Sequence, residues 1–523
     1  MKDGGAGRSA FVVGAGILIS RVVGLLRQTA FAHFLGAGAS ADAYNAAFKI
    51  PNALRNLLGE GTLSAAFVPV YARLLDGDDP RRARAMAHTV LGVLLAAVSV
   101  LTLLGIVAAP LLTAILTPGF EGASAELTTR LTRVLFPMTG LMVVSGWCLG
   151  VQNAHRRFFW SYASAALWSV AQIALLLVGG PRAADAETLV LWLAWATLVG
   201  AVLQVAAQWP EVRQLVGPVR PRLDLRSEGV RETLRNVIPV VTALGVVQIS
   251  SFVDLQIASV LPEGATSVLA YANTLVLLPV SLFGISVAAA ALPDLSRDAG
   301  GDALDTLRER VRSGWQRILF YVVPSAVAFM VLGDYCVALL FSGGRFGVEE
   351  TRRVHGVLAA YAVGLVSFAS VKLLSSAHYA LRDYRTPLRA SLASLAVSAV
   401  TASAIALPWR ASPYAAMGIA AGSAIGSFVN LAWLGRGLRG RLGPLYTPDM
   451  WVGTRRIVLA ATMAALAGSV ARWMVDSQWA DVSPRLVAIP VLALFGVTFV
   501  VMAWWMGSAE AARWLRRGVR NRT

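Results

Sequence analysis

The side chains best placed to do chemistry are four cations within the first two long apolar segments of this 523-residue chain: Arg21, Arg27, Lys49 and Arg55. A cation at the centre of a bilayer costs about 2.5–3.5 kcal/mol even on the most lenient insertion scale. Two acids of the same segments, Asp42 and Glu60, offset only half of this charge. The surplus predicts a polar cavity within the membrane that holds an anion with roughly the charge of a diphosphate.

Polar residues recur at helical spacing in the second of these segments. Spacings of three and four residues separate Asp42, Asn45, Lys49, Asn52, Asn56 and Glu60. At about 100° per residue they fall within an arc of about 80°, so one helix face would be polar over roughly five turns. We predict that this stripe lines a water-filled cavity. The alternative is that its amides only join neighbouring helices by hydrogen bonds.

Three residues could act as hinges. Pro51 has no N–H for the carbonyl of Ala47, so the helix could kink beside Lys49. Pro279 takes the corresponding place in a later segment, and Gly284 follows it. Paired irregularities at matching positions of two halves predict a binding site where the halves meet. A static kink is the alternative.

Arg21 and Asp254 each allow more than one interpretation. Arg21 and Arg27 point about 120° apart on one helix, so Arg27 is predicted to reach deeper and Arg21 to lie near the cytoplasmic mouth or to snorkel. Asp254 has no cation near it in sequence, and it could bind Na⁺ or a proton, or accept a hydrogen bond from a neighbouring helix.

The chemistry of catalysis is missing from the sequence. The five histidines are scattered without metal-ligand spacing, and no phosphate-binding loop of an ATPase is present. We therefore predict neither an enzyme nor a bound cofactor. Transport would be driven by a Na⁺ or proton gradient, by the membrane potential, or by consumption of the substrate after transfer.

Composition sets the fold class. The chain is 56% hydrophobic and only 14% charged, against about 25% charged in soluble domains. Apolar segments of spanning length occur at 9–36, 41–71, 86–116, 131–153, 158–180, 187–208, 236–261, 265–293, 314–341, 354–380, 388–407, 414–435, 457–475 and 486–507. None shows the alternation of a β-barrel strand, so we predict an all-α polytopic membrane protein with 14 transmembrane helices and no cleavable signal peptide.

The formal net charge of +17 allows a nucleic-acid partner, but its distribution argues against one. Of the 46 Lys and Arg residues, most fall in the termini and in alternate loops on one predicted side of the membrane. This is the positive-inside pattern. Both termini are therefore predicted to be cytoplasmic.

The chain also repeats itself. The sequence LGAGAS at 35–40 is matched by LPEGAT at 261–266, and Tyr44 is matched by Tyr271. Further along, the first copy has the sequence AAFVP, which ends at Pro69, and the second copy has AAALP, which ends at Pro293. We predict two parallel-repeat six-helix lobes plus two extra C-terminal helices. The corresponding regions are 1–208 (first lobe), 209–235 (cytoplasmic linker), 236–436 (second lobe) and 437–523 (helices 13 and 14 with a basic tail).

Three stretches carry a family likeness. Residues 20–75, from SRVVGLLRQTAFAHFLGAG to VPVYARLL, strongly resemble the MurJ (MviN) lipid II flippases of bacteria, which belong to the multidrug/oligosaccharidyl-lipid/polysaccharide exporter superfamily. The stretches LLPVSLFGISVAAAALPDLS at 277–296 and AHYALRDYRTP at 377–387 are similar to the same family. The likeness extends over the whole chain.

The resemblance implies that lipid II, an undecaprenyl-diphosphate-linked disaccharide pentapeptide, is moved from the inner to the outer leaflet of the bacterial cytoplasmic membrane by alternating access. It implies a monomer among membrane lipids, with helices 13 and 14 forming a groove for the polyprenyl tail. The family's essential arginines match Arg21, Arg27 and Arg55, and Asp42, Lys49 and Glu60 also fall on its motif. Asn52, Lys49 and Glu60 would contact the headgroup or the gate.

Two other functions fit the same sequence. The chain could export another polyprenyl-diphosphate-linked oligosaccharide, or it could be a non-transporting membrane scaffold of cell-wall synthesis. A cationic drug is disfavoured, because the surplus positive charge of the cavity would repel it.

The chain departs from the family pattern at several positions. The family usually has Asp where this chain has Gln28, and often has Arg where it has Thr274. Ser398 and Ala402 stand where some relatives have Na⁺ ligands, which makes Na⁺ coupling through Asp254 doubtful.

The loss of one acid and one base together predicts that they formed a compensating pair. Thr274→Arg alone should therefore impair growth of a flippase-depleted cell, because it adds a cation to a cationic cavity. Adding Gln28→Asp should restore growth. Equal growth of the single and double variants at matched protein levels would contradict this pairing.

Overall fold

The structure is a computed structural model, and it is all-helical. It describes residues 3–77, 80–224, 228–289, 291, 304–478, 483–508 and 510–512. The chain divides into two compact units, Met1–Thr266 and Ser267–Thr523.

The helices of the first unit are α1 (Asp3–Leu35), α2 (Ala39–Leu58), α3 (Glu60–Ala66), α4 (Val68–Asp76), α5 (Pro80–Val107), α6 (Ala109–Leu116), α7 (Gly122–Ala154), α8 (Phe159–Gly179), α9 (Ala186–Val216) and α10 (Glu228–Ser259). Within this unit α1 packs against α8, and α2 packs against α7 and α10. The core between α4, α5, α7 and α9 is apolar, with Phe67, Tyr71 and Trp147 fully buried.

The second unit continues with α11 (Ala265–Pro279), a π-helical segment (Val280–Ile285), α12 (Leu304–Val331), α13 (Gly333–Phe341), α14 (Val348–Ala380), α15 (Arg385–Ala406), α16 (Ala416–Leu442), α17 (Pro448–Gln478) and α18 (Pro484–Trp505). Here α15 and α14 pack against α16, and α17 packs against α18 and α12. The stretch around Pro293 and the basic C-terminal tail from residue 513 lie outside the described residues.

Eleven helices in the described part of the chain are long and apolar enough to cross a membrane. Three more long helices, α1, α2 and α10, overlap the predicted spans 9–36, 41–71 and 236–261. The fold is therefore compatible with the 14 predicted transmembrane helices. The boundary between the compact units falls after α10, whereas the predicted lobes divide before it; the lobe limits stay a prediction.

The prediction of one continuous helix over 41–71 is wrong. Helix α2 ends at Leu58, and Gly59 leaves helical geometry with φ −92° and ψ −136°. The two glycines that flank Glu60 weaken the helix, since each costs about 1 kcal/mol relative to Ala. A β-carbon at Gly59 would also overlap the carbonyl oxygen of Arg55. The polar stripe therefore runs only from Asp42 to Asn56, and Glu60 begins α3.

The second unit repeats the helix order and local geometry of the first. Helices α7 and α14 are both 33 residues long. Each is followed by an arginine in the left-handed region, Arg156 with φ 59° and Arg382 with φ 57°. In both turns the next N–H returns to a carbonyl near the helix end, from Arg157 to Gln152 (2.8 Å) and from Asp383 to His378 (2.9 Å). The same turn at the same place confirms the repeat that the sequence predicts.

The predicted hinges differ in local structure. Pro279 ends α11, and the π-helical segment that follows contains Gly284. Pro51 instead lies inside the continuous α2, where its carbonyl accepts a hydrogen bond from Thr139 Oγ1 at 3.2 Å. The break in this part of the first unit comes later, at Gly59. A hinge role for Pro51, Pro279 and Gly284 stays a prediction.

Gly284 lets the π-helical segment approach α14 closely. A β-carbon there would lie 2.9 Å from the Cα atom of Ala369. Gly284→Ala should therefore lower the midpoint of thermal unfolding in detergent, although Gly→Ala normally stabilises a helix by about 1 kcal/mol. Gly435→Ala in α16 is the matched control, because nothing lies within 4 Å of its β-carbon position. A higher midpoint for both variants would show that the close contact is unimportant.

Candidate functional site

Arg27 is held by α8. Its Nη1 atom donates a 3.4 Å hydrogen bond to Gln172 Oε1, and its Cζ atom lies 4.9 Å from the ring centre of Trp168. A guanidinium over an indole face gains a cation–π attraction, which is strongest where water is excluded. The predicted inward position of Arg27 thus agrees with contacts on two side chains one turn apart on α8.

A second set of contacts joins α2 to this same point. The hydroxyl of Tyr44 lies 3.4 Å from Gln172 Oε1 and 2.8 Å from Thr197 Oγ1 of α9. The ring of Phe48 stacks between Tyr44 and Trp168, with ring centres 6.2 and 5.9 Å apart. Gln172 therefore accepts hydrogen bonds from both α1 and α2, and the aromatic rings fix their spacing.

Arg55 of α2 lies within electrostatic range of Arg27. Two like charges repel each other more strongly in a membrane protein interior than in water, because the effective dielectric constant is lower. The helix pair α1–α2 therefore brings two guanidinium groups into a region that an anion would stabilise. This agrees with the prediction that Arg27 and Arg55 act at one site.

Lys49 faces α10. Its Nζ atom donates a 3.2 Å hydrogen bond to the carbonyl oxygen of Ser251. Asp254, one turn further along α10, attracts the Lys49 ammonium electrostatically. The sequence indicated no cation near Asp254, and the structure supplies one from another helix. A role for Asp254 in binding Na⁺ stays a prediction, as does contact of Lys49 with substrate.

Asp42 holds the start of α2 in place. Its side chain is 4% exposed and its Oδ2 atom accepts a 2.7 Å hydrogen bond from the N–H of Gly264, which has φ 90°. In return the N–H of Ala39 donates to Glu263 Oε1 at 2.7 Å. These bonds tie α2 to the turn that follows α10. Contact of Asp42 with a substrate stays a prediction.

The remaining predicted residues have their own surroundings or lie outside the described residues. Arg21 is exposed on α1, and Asn52 is half-buried on α2. Thr274, in the second unit, donates to the carbonyl of Ala270 at 2.9 Å. The side chain of Glu60 lies outside what the structure describes. No group of three or more His, Cys, Asp or Glu residues suited to a metal ion occurs among the residues searched.

Sequence reasoning missed Trp168 and Gln172. A glutamine in the apolar run ALWSVAQIALLL was the available signal, because a polar amide inside a membrane segment needs a partner. The tryptophan gave no comparable signal in the sequence, since indoles are common in apolar helices.

The third family-like stretch forms a turn at the end of α14. Asp383 accepts hydrogen bonds from Thr386 N (3.0 Å) and pairs with Arg441 (3.3 Å), and its carboxylate lies 3.2 Å from His378 Nδ1. Desolvation opposes ionisation, but the bonds from Thr386 and His378 outweigh it and lower the pKa of Asp383 to about 2. The carboxylate is therefore charged at physiological pH and fixes this turn.

The fold defines a polytopic α-helical membrane protein. A solved lipid II flippase MurJ in an inward closed conformation matches it with a TM-score of 0.77 at 18% identity, covering 94% of this chain and 98% of that one. A multidrug resistance MATE family transporter of the MOP superfamily, in an inward-facing conformation, matches with a TM-score of 0.66 at 18% identity, over 82% and 95% of the two chains. At 18% identity, these two structural matches establish that this chain shares their fold.

The chain belongs to the MurJ family, whose model, described as lipid II flippase MurJ, matches residues 31–488. A protein of Rhizobium meliloti named "Probable lipid II flippase MurJ" is 31% identical over 97% of this chain and 95% of its own length. The "Lipid II flippase MurJ" of Burkholderia cenocepacia is 30% identical over 96% and 97%. Bacterial relatives and many apolar helices together indicate a multi-pass protein of the bacterial inner membrane.

Lys49 and Asp254 should be energetically coupled. Removing one of two charges that attract each other loses the attraction, and removing the second charge does not lose it again. Lys49→Gln and Asp254→Asn should each lower the midpoint of thermal unfolding, and the double variant should recover part of the loss. Strictly additive shifts would show that the two charges do not interact.

Proposed function

We propose that this protein moves lipid II from the inner to the outer leaflet by alternating access. The observation that carries this proposal is the Arg27 guanidinium, which Gln172 and Trp168 of α8 hold inside the first unit, with Arg55 near enough for the two charges to repel each other. Family membership and the names of the relatives support it. The protein acts as a transporter and not as a catalyst.

The arginines suit a diphosphate. A guanidinium offers planar, forked N–H donors that bind two phosphate oxygens at once, and it keeps its charge in any protein environment. The anion would remove the repulsion between Arg27 and Arg55. Arg21, exposed on α1, would meet the headgroup earlier on its route.

The site recognises the diphosphate and leaves the sugar and peptide to other contacts. Another polyprenyl-diphosphate-linked oligosaccharide would satisfy the same donors, so transport assays with different headgroups separate these substrates. The energy source is proposed to be a Na⁺ or proton gradient, the membrane potential, or downstream consumption. We further propose cytoplasmic termini and a monomer.

Arg27→Ala and Arg55→Ala should each abolish growth of a flippase-depleted cell that depends on this chain. Arg27→Lys should restore growth only in part, because an ammonium keeps the charge and loses the fork. The measurement is colony formation at matched levels of membrane-inserted protein.

Arg130→Ala is the control, since Arg130 forms an exposed ion pair with Glu187 (2.9 Å) that contributes at most about 1 kcal/mol. It should support normal growth. Normal growth with Arg27→Ala or Arg55→Ala would overturn the proposed role of these arginines, and would leave a non-transporting scaffold as the alternative.

A further inference from the structure

Several buried side-chain atoms of the first unit have no hydrogen-bond partner among the described residues, and two of them are the donors Arg27 Nε and Trp168 Nε1. They belong to side chains in direct contact, because the Arg27 Cζ atom lies 4.9 Å from the Trp168 ring centre. The Trp168 side chain is only 9% exposed, so bulk water does not satisfy its N–H. Buried polar groups nearly always have partners, and two orphaned donors at one place need an explanation.

The neighbouring acceptor is already used. Gln172 Oε1 accepts from Arg27 Nη1 and lies 3.4 Å from the Tyr44 hydroxyl, which accounts for both of its lone pairs. The amide is oriented this way because Gln172 Nε2 donates to the carbonyl of Trp168 at 3.4 Å. Turning the amide over would lose that bond and would present a donor to Arg27.

Several neighbours of the indole are apolar. Phe48 stacks with it at 5.9 Å, and Met138, Met142 and Ala201 pack in the same cluster. The described contacts therefore leave Arg27 Nε–H and Trp168 Nε1–H without an acceptor, beside a positive charge. A ligand that completes the site must bring acceptor oxygens, and the nearby guanidinium groups favour oxygens that carry negative charge.

We propose that Trp168 is a substrate-binding residue, whose indole N–H, together with Arg27 Nε–H, binds oxygens of the diphosphate group of a polyprenyl-diphosphate lipid. This inference rests on the proposed function and adds a neutral donor to the arginines of the site. Because the indole N–H stays in place at any pH, it contributes direction as well as attraction. Gln172 holds Arg27 through Nη1 and does not use its Nε–H.

The test measures binding of undecaprenyl diphosphate to the purified full chain in detergent by native mass spectrometry. Trp168→Phe keeps an aromatic face for Arg27 and removes the N–H. It should weaken the dissociation constant about ten-fold or more, as expected for a lost hydrogen bond to a charged group. Replacing Trp168 with benzothienylalanine, which fills the same space without an N–H, should have the same effect and covers a failure of the phenylalanine variant to fold.

Trp147→Phe is the matched control. Trp147 is fully buried in the same unit, but its Nε1 atom donates to the carbonyl of Ala87 at 3.1 Å. Its substitution should lower the midpoint of thermal unfolding and leave the dissociation constant unchanged. Unchanged affinity in both Trp168 variants, with the wild type binding, would overturn the inference alone. Absence of binding by the wild type would overturn the proposed function as well.

Discussion

The structure depends on the electrostatic balance of a few cations inside a mostly apolar protein. Arg27, Arg55 and Lys49 lie on two neighbouring helices where burial penalises every uncompensated charge. Asp254 on α10 attracts the charge of Lys49, whereas Arg27 and Arg55 repel each other. The first unit thus holds an arrangement that a bound anion would stabilise, and this difference between empty and occupied states is what a transporter of an anionic lipid can use.

The neighbouring helices keep this arrangement in place. Gln172 and Trp168 of α8 fix Arg27, Tyr44 links α2 to α9, and Asp42 anchors the start of α2 to the turn at Gly264. These bonds use uncharged donors and acceptors, or a carboxylate that meets a backbone N–H. The bond from Arg27 to Gln172 positions this guanidinium with an uncharged acceptor, so Arg27 keeps its attraction for an anion.

Much of the fold could be predicted from the sequence. Long apolar runs fix the helices, and the spacing of Lys49, Asn52 and Asn56 fixes one polar face of α2. The break at Gly59 could not be placed, since apolar periodicity continues through it. The need for glycine there, where a β-carbon would overlap the Arg55 carbonyl oxygen, is visible only in the structure. The partners of the charged residues could not be predicted from the sequence either. Asp254 lies near Lys49, and Arg27 contacts Trp168, because helices that are distant in sequence pack side by side.

Transport of lipid II across the membrane can be followed through the accessibility of its headgroup to an impermeant reagent at the outer leaflet, in cells whose only flippase is this chain. We expect acute depletion of the protein to lower the accessible fraction while total lipid II persists, and re-expression to restore it. An accessible fraction that is unchanged after depletion would show that this protein does not carry lipid II across the membrane.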